Sequence, residues 1–476
     1  MPAIDRKTVS DTRPTLSRRN VLRSTAAFAV PLFVPAHVLG GRGRTGANDR
    51  IHIGVIGTGA RGKYLIANMP PGGRVVSLCD CSLSRIADTL HPEGQFVKPL
   101  AEFSGSEANR CSIHQDYRRM VDREKLDAVM IATPDHHHAQ AALLALQAEL
   151  DVYVEKALTV TIPEGRAIVE AAKYHQRVVQ VGTQQRSMQV NRFACEFVRD
   201  GGLGKVSLVE MPNFPGPMSY ESLKPQAVPE SLDWNLFVGP TPMRAHHRKL
   251  WVKDHFKIRN LLWRGWDLWR DYSGHGMTNW GTHRVDLVHY ALGIEDDGPM
   301  EIRPHTELIK PSLADRWKST TPPVGAMNDR AVDGMRFCPV SMRYASGVEL
   351  RFTPDGNEAL IHGEHGRMLL SRNNYTVEPA DLVGGPDPAE QEKWKGPGNV
   401  ARPHIQNWID CIHSRGTPNA PIEAGHRVTS VCLLANLARE LRRTLRWDPE
   451  NERFVGDDEA NERLNRPRRT GFELPV

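Results

Sequence analysis

The sequence IHIGVIGTGARG occupies residues 51–62 and joins a short β-branched run to a glycine-rich turn. The run has the composition of a strand buried in a parallel sheet. After it, Gly57 permits a tight turn, Gly59 lets the backbone approach a diphosphate, and Gly62 lets the following helix pack closely on the strand. The start of that helix offers free N–H groups to the phosphates. The predicted contacts around the diphosphate are therefore Gly57, Gly59, Ala60, Arg61 and Gly62.

A second predicted strand, at residues 74–78, leads to Asp80, which lies 23 residues after Gly57. An acid at this place accepts hydrogen bonds from the adenosine ribose of a dinucleotide and repels the 2′-phosphate that distinguishes NADP from NAD. The spacing therefore favours NAD as the cofactor. Arg85 is close enough in the sequence to receive a 2′-phosphate, so NADP stays open as the alternative.

Strands and helices continue to alternate after Asp80. Further strands are predicted at residues 127–132, 152–155 and 177–182, with helices at 139–149 and 163–174. Ligands of an open parallel sheet bind beyond the carboxyl ends of its strands. We therefore predict a Rossmann domain over residues 48–184. The loops at its carboxyl edge supply further predicted cofactor contacts, which are Thr133, Pro134, His138 and Glu155.

A basic segment precedes a short apolar run near the start of the chain. SRRNVLR, at residues 17–23, leads into the run at residues 26–36, which is much shorter than the ~20 residues needed to cross a membrane. This arrangement is typical of a signal peptide, and its twin arginine indicates the Tat export machinery, which carries folded proteins. We expect residues 1–47 to be an export signal and linker, and the protein to be periplasmic or otherwise extracytoplasmic. The alternative is a basic arm without such a role.

The net charge of +5 arises in this leading segment. Residues 1–50 hold nine basic and three acidic residues, so they carry +6, and the remaining 426 residues carry −1. A domain that binds nucleic acid needs a basic face of its own. The nearly neutral body therefore argues against nucleic acid as a partner.

Four stretches together resemble the Gfo/Idh/MocA family of glucose–fructose oxidoreductases and inositol dehydrogenases. They are the glycine-rich turn, TPDHHH at 133–138, EKALT at 155–159 with its continuation through EGR at 164–166 and VQVGTQQR at 179–186, and GMTNWGTHRVD at 276–286. The stretch at 404–448 also resembles exported members. The likeness covers nearly the whole chain after residue 48.

The resemblance implies an α/β architecture in which the Rossmann domain is followed by an α/β domain with an open, mostly antiparallel sheet. This second domain is predicted over residues 185–476. Its sequence agrees, because the pattern changes there to longer loops and scattered strands. The predicted strands lie at 206–211, 335–344, 348–353 and 368–371. A late helix at 424–443 has strong 3.6-residue apolar periodicity, which suits packing back against the first domain. Family members are dimers or tetramers, so a homo-oligomer is expected.

The resemblance also implies the reacting groups. Hydride transfer from an alcohol needs a base for the hydroxyl proton and a cation near the forming oxyanion. By resemblance these are His283 and Lys156, respectively. The substrate contacts implied by the same motif are Asn279, Trp280 and Asp286.

One position departs from the family pattern. Family dehydrogenases have an acid four residues before the histidine, whereas this chain has Asn279. An amide orients a hydroxyl or an imidazole but takes no proton. Asp286 lies three residues after His283. We expect it to replace the missing acid, either by contacting the substrate or by contacting His283.

Three functions follow from these residues. The first is NAD(P)-dependent oxidation of a hydroxyl on a sugar, sugar acid or cyclitol. The second is redox-neutral cleavage of a glycoside through a transient keto-sugar, which Asn279 and export both favour. The third is a sugar-binding module without catalysis, against which the presence of Lys156 and His283 argues.

Two clusters leave alternatives open. The histidines at 136–138 lack a carboxylate or cysteine at ligand spacing, so no metal is predicted. Six aromatic residues crowd into thirty positions, and they suit either a carbohydrate cleft or ordinary packing. They are Trp251, Trp263, Trp266, Trp269, Tyr272 and Trp280.

Overall fold

The computed structural model describes residues 49–220, 222–251, 265–308, 334–353, 358–384 and 401–475. The predicted export signal at 1–47 and Trp263 lie outside these residues. Within the described part of the chain, no helix combines the length and apolarity needed to cross a membrane.

The first domain is built on a six-stranded sheet in which all neighbouring strands run parallel. Its strands are β1 (Ile51–Ile56), β2 (Gly73–Cys79), β3 (Ser112–His114), β4 (Ala128–Ile131), β5 (Asp151–Val154) and β6 (Val179–Val181). The spatial order β3-β2-β1-β4-β5-β6 confirms the predicted Rossmann fold. The edge strand β3 was not predicted, because a three-residue polar strand carries no apolar pattern.

Six helices cover the two faces of this sheet. They are α1 (Ala60–Ile66), α2 (Leu83–Leu90), α3 (Ala101–Ser106), α4 (Tyr117–Arg123), α5 (His138–Gln147) and α6 (Ile162–Tyr174). Separate apolar cores fill the two faces, one around Leu65 of α1 and the other around Leu143 of α5. The central strands are buried on both sides, as their continuous apolar runs predict.

The second domain contains a nine-stranded sheet in the order β13-β12-β11-β7-β10-β9-β8-β14-β15. Its strands are β7 (Val206–Pro212), β8 (Glu301–Pro304), β9 (Val340–Arg343), β10 (Glu349–Thr353), β11 (Ala359–Gly363), β12 (Arg367–Ser371), β13 (Asn374–Glu378), β14 (Leu445–Asp448) and β15 (Arg453–Phe454). Among the described strands of this second sheet, only β7 and β10 pair in parallel, which confirms the mostly antiparallel sheet.

The helices of this part of the chain pack against the second sheet, against the first domain or in a smaller core of their own. They are α7 (Gln189–Arg199), α8 (Trp234–Val238), α9 (His275–Asn279), α10 (Gly281–Leu292), α11 (Ala401–Ser414), α12 (Ile422–Leu441) and α13 (Asp458–Glu462). Alternate residues of β10 and β12 point into the core that α10 and α12 share. The opposite, more exposed positions give the alternation of an antiparallel sheet with one covered face.

The late helix packs back against the first domain, as its periodicity suggested: His426 lies against Gly165 of α6, and Thr429 accepts from the Leu158 backbone N–H. Most of α12 is packed into the core of the second sheet, and near its start Gly425 lies against Val181 of the first. It is α11 that enters the Rossmann core, through Ile405, Trp408 and Ile409. Replacing a buried tryptophan such as Trp408 with alanine costs about 3–5 kcal/mol, so this helix is a substantial part of the first domain's stability.

Candidate functional site

A cavity of about 540 Å³ lies at the carboxyl edge of the first sheet, where α9 and α10 of the second domain face it. Twelve of the fifteen predicted site residues line it. They are Gly57, Gly59, Ala60, Arg61, Asp80, Thr133, Pro134, Glu155, Lys156, Asn279, Trp280 and His283. The residues that do not line it are Gly62, His138 and Asp286.

The glycines of the first turn divide into two structural roles. Gly57 has φ +92°, and a Cβ there would lie 2.6 Å from the Ala132 carbonyl oxygen. A Cβ on Gly62 would lie 2.0 Å from the Gly57 carbonyl oxygen, so Gly62 permits helix packing rather than ligand contact. Around Gly59 the space within 4 Å of a Cβ is open. The turn thus leaves room for a diphosphate at Gly59, at the start of α1.

The Asp80 carboxylate is fixed at the end of β2. One oxygen accepts from the Thr58 backbone N–H at 2.9 Å, and the other accepts from the Ser82 backbone N–H at 2.9 Å. This arrangement orients the carboxylate in the cavity and leaves lone pairs for ribose hydroxyls. Arg85, the residue that kept NADP open, stacks its guanidinium 3.6 Å from the centre of the Trp251 ring.

Lys156 follows β5 and reaches the last residue of α9. Its Nζ donates to Oδ1 of Asn279 at 2.9 Å. Burial lowers the pKa of Lys156, against the opposing effect of the Glu155 and Asp135 carboxylates. An amine whose proton is held less tightly is suited to exchange a proton with a substrate hydroxyl.

His283 lies on α10 and is buried, with 6% of the residue exposed. Burial lowers its pKa well below the usual range, and the nearby cations of Lys156, Arg372 and Arg61 act in the same direction. The imidazole is therefore neutral at neutral pH and has a nitrogen ready to accept a proton. Within the described residues its Nδ1 is buried without a hydrogen-bond partner, so no carboxylate orients it.

Asp286 is not placed as expected. It is 1% exposed, and Oδ1 accepts from Nε of Arg186 at 2.8 Å, away from the cavity lining. Asp286 lies almost one turn further along α10 than His283, and there it meets Arg186 from the segment between β6 and α7. We therefore assign Asp286 to a buried ion pair instead of to the substrate.

His138 also supports the site without lining it. Its Nδ1 lies 2.8 Å from the Ala157 carbonyl oxygen, and its Nε2 lies 3.0 Å from that of Thr133. The side chain sits beneath both loops because it begins a helix whose first residues face inwards. It thus ties the Thr133 loop to the residue that follows Lys156, which corrects its assignment as a cofactor contact.

Three charged residues of the site were not predicted. Arg372, from the turn between β12 and β13, lines the cavity. Asp135 also lines it, and one of its oxygens accepts from Oγ of Ser273 at 2.8 Å. Asp267 is buried nearby, and burial together with Asp135 raises the pKa of its carboxyl well above the usual range. Of these three residues, only Asp135 lies in a motif that the family resemblance marked. The other two lie in loops or turns, which carry no periodicity.

Some residues of the aromatic cluster line the cavity and others are part of a packing core, and two of the three histidines contact the same backbone carbonyl oxygen. Trp251, Trp266 and Trp280 line the cavity, whereas Trp269 and Tyr272 are buried in a packing core. Trp280 is the most exposed of the three and presents a stacking surface. The pair His136 and His137 both direct Nε2 to the Phe237 carbonyl oxygen, at 2.9 Å and 3.0 Å.

Comparisons with known proteins agree with this arrangement. The chain matches an oxidoreductase family with an NAD-binding Rossmann fold over residues 51–183, and its C-terminal alpha/beta domain over 216–323 and 326–474. It is 32% identical over 163 residues to an inositol 2-dehydrogenase of Rubrobacter xylanophilus, covering 33% of this chain and 42% of that protein. It is 29% identical over 151 residues to a glycosyl hydrolase family 109 protein of Stenotrophomonas maltophilia, covering 31% of each. The matched regions span less than half the length of these relatives.

A solved structure extends the likeness to both domains. The WlbA dehydrogenase of Bordetella pertussis, in complex with NADH and UDP-GlcNAcA, superposes with a TM-score of 0.55 at 15% identity, over 84% of this chain and 99% of that one. At this identity the likeness concerns the fold. The family matches cover both domains, and the chain therefore belongs to the Gfo/Idh/MocA family of oxidoreductases, with an NAD-binding Rossmann domain and a C-terminal α/β domain.

Proposed function

We propose that this protein is an NAD-dependent oxidoreductase acting on a hydroxyl of a sugar, sugar acid or cyclitol. The observation that carries the proposal is the single cavity that joins Gly59 and Asp80 to Lys156 and His283. The first pair suits a dinucleotide, and the second pair suits an alcohol at the end of the cavity that the second domain closes. The inositol 2-dehydrogenase relative supports the substrate class.

The residues divide the chemistry between them. Gly59 and Asp80 would hold NAD, which would supply the acceptor for the hydride of the alcohol carbon. Neutral His283 takes the hydroxyl proton, and Lys156 donates a hydrogen bond to the oxygen as negative charge develops there. Asn279 holds the Lys156 ammonium at 2.9 Å and so fixes the direction of that donor. Trp280 offers its face to the sugar ring.

A second candidate is redox-neutral cleavage of a glycoside. Asn279, where family dehydrogenases have an acid, and the glycosyl hydrolase family 109 relative favour it. A sugar hydroxyl is oxidised to a ketone, which acidifies the neighbouring C–H bond. Loss of that proton expels the glycosidic alcohol, water adds to the resulting double bond, and the hydride returns to the ketone carbon. His283 and Lys156 would serve the first and last steps unchanged.

The first experiment identifies the bound nucleotide and then the net reaction. The purified protein is denatured, and the released nucleotide is identified by mass and absorbance. The intact protein is then mixed with free sugars and with aryl glycosides. Reduction of NAD with a free sugar supports the oxidoreductase, whereas release of sugar from glycosides without net reduction supports cleavage. Absence of NAD, and no binding when NAD is added, would contradict both and favour a sugar-binding module.

The replacement Asn279→Asp tests the assignment of Lys156. A carboxylate at this position raises the pKa of Lys156, because an opposite charge within hydrogen-bond distance favours the protonated amine. If protonated Lys156 is the active form, the alkaline limb of the pH–rate profile moves upward by about one to three pH units. Asn109→Asp, at an exposed position of the first domain, makes the same charge change as a control. An unmoved limb would mean that another group titrates there.

Export and assembly are further proposals. We propose that residues 1–47 direct export through the Tat machinery, on the support of the twin arginine alone. The double replacement Arg18→Lys and Arg19→Lys is expected to leave the protein inside the cell, and export of that variant would contradict the proposal.

We also propose, from the family resemblance, that the protein forms a homo-oligomer, either a dimer or a tetramer. Sedimentation of the purified protein tests this proposal.

A further inference from the structure

Cationic side chains gather along the part of the cavity that holds Lys156 and His283. Lys156, Arg61 and Arg372 line it beside His283, and Arg284 lies next to them on α10. Desolvation lowers the pKa of the Arg372 guanidinium, and the like charges of Arg284 and Arg61 lower it further, against the smaller opposing effects of Tyr64 and Glu358. A concentration of positive charge of this kind is costly unless an anion is present for part of the protein's cycle.

Two of these arginines already have carboxylate partners. Nε of Arg61 lies 2.7 Å from Oε1 of Glu155, and Nη2 of Arg284 lies 2.5 Å from Oε2 of Glu358. No ion pair and no side-chain hydrogen bond joins Arg372 to another described residue, although the carboxylate of Glu358, which pairs with Arg284, is near enough to favour its charged form. Arg372 is an exposed turn residue that also lines the cavity.

The acids that line the cavity do not supply the missing partner. Asp80 accepts from Thr58 and Ser82, Asp116 pairs with Arg118, Asp135 accepts from Ser273, and Glu155 pairs with Arg61. Each lining carboxylate therefore already has a donor from the protein. Arg372 thus has a planar set of N–H donors available to a ligand.

We propose that Arg372 binds an anionic group of the substrate, so that the natural substrate is a sugar acid or another sugar bearing a carboxylate or phosphate. This rests on the proposed function, and it narrows the substrate class from neutral and acidic sugars to acidic ones. A guanidinium forms two parallel hydrogen bonds with either anion. Arg372 would bind the anion, and Lys156 and His283 would bind the reacting hydroxyl. The distance between these residues would then select sugars with a matching distance between the two groups.

The diphosphate of the cofactor is a different source of negative charge. The open space at Gly59 and the start of α1 suit the diphosphate, and Arg61 of this helix is near enough to Arg372 to lower its pKa. Arg372 comes from the second sheet and influences His283 and Lys156. The binding test therefore measures the affinity for NAD separately from the affinity for sugars.

The experiment measures binding without turnover. Calorimetry on the NADH-loaded protein compares glucuronate, glucose 6-phosphate and glucose for the wild type, Arg372→Gln, and Arg367→Gln. Arg367 lies on β12 in a surface ion pair with Glu378, so its loss controls for a missing charge. We expect one anionic sugar to bind about 10- to 100-fold more tightly than glucose, as a charge-assisted bidentate contact implies. Arg372→Gln should abolish this preference, and Arg367→Gln should retain it.

Each outcome decides a separate point. Tighter binding of glucuronate identifies a carboxylate, and tighter binding of glucose 6-phosphate identifies a phosphate. Equal binding of glucose and both anions by the wild type, or an unchanged preference in Arg372→Gln, would overturn the inference. Weaker NADH binding in Arg372→Gln with unchanged sugar binding would assign Arg372 to the cofactor and overturn it as well. An anion preference without NAD reduction by any sugar supports the anion site while removing the proposed redox chemistry.

Discussion

Replacing Lys156 with methionine is expected to lower the rate of hydride transfer by on the order of 10²- to 10⁴-fold. Methionine keeps most of the volume of the side chain but removes the donor that faces the reacting oxygen. The negative charge that develops on that oxygen is then left to neutral His283 and solvent. Because the cofactor contacts are elsewhere in the cavity, the affinity for NAD should change little.

The measurement is the reduction of bound NAD, followed by absorbance after mixing with a sugar that the wild type oxidises. Lys173→Met provides a matched control, because Lys173 is exposed in the last turn of α6. Equilibrium binding of NAD to the variant separates a chemical defect from a folding defect. A rate for Lys156→Met within a few-fold of the wild type would remove Lys156 from the reaction.

Gly62→Ala is expected to lower the stability of the fold, whereas Gly59→Ala is expected to weaken cofactor binding and leave the stability unchanged. A Cβ at position 62 would lie 2.0 Å from a backbone oxygen, so α1 must shift from β1. Overpacking against backbone costs about 3 kcal/mol, which lowers the unfolding temperature by roughly 6–12 °C. At position 59 no atom lies within 4 Å of the added Cβ, so stability should be unchanged.

The affinity for NAD should instead fall in Gly59→Ala by on the order of 10- to 100-fold, equivalent to losing one or two charge-assisted hydrogen bonds. Thermal unfolding without added nucleotide and calorimetric titration with NAD measure the two effects separately. Gly59→Ala and Gly62→Ala are controls for each other, since both add one methyl group to the same turn. Unchanged NAD affinity in Gly59→Ala would place the diphosphate elsewhere.

The motif at 164–166 shows how a family resemblance marks residues without giving their roles. In the structure Glu164 is buried and contacts both Arg466 and Arg468 of the C-terminal tail. Arg466 also donates to the carbonyl oxygens of His136 and Asp271. The tail thereby fastens the histidine loop of the first domain to the second, near the cavity. Breaking a buried ion pair of this kind leaves an uncompensated charge.

The sequence by itself determined the Rossmann domain and its preference for NAD. The strand, the glycine turn and the acid at position 80 act within 30 residues of one another, and their requirements are steric and local. The central strands have continuous apolar runs, which mark a buried parallel sheet without further context. Patterns of this kind depend on residues close together in the sequence and not on distant contacts. They can therefore be recognised from the sequence alone.

Only the tertiary structure decided which groups meet in the site. Lys156 and Asn279 are 123 residues apart, and their contact depends on how α9 docks against the end of β5. The same docking directs Asp286 to Arg186 and away from the cavity, although its spacing from the histidine had favoured the substrate. Arg372 lies in the turn between β12 and the edge strand β13, where the sequence does not distinguish a site arginine from an ordinary surface arginine. Contacts between distant segments depend on packing geometry, and periodicity and spacing carry no information about it.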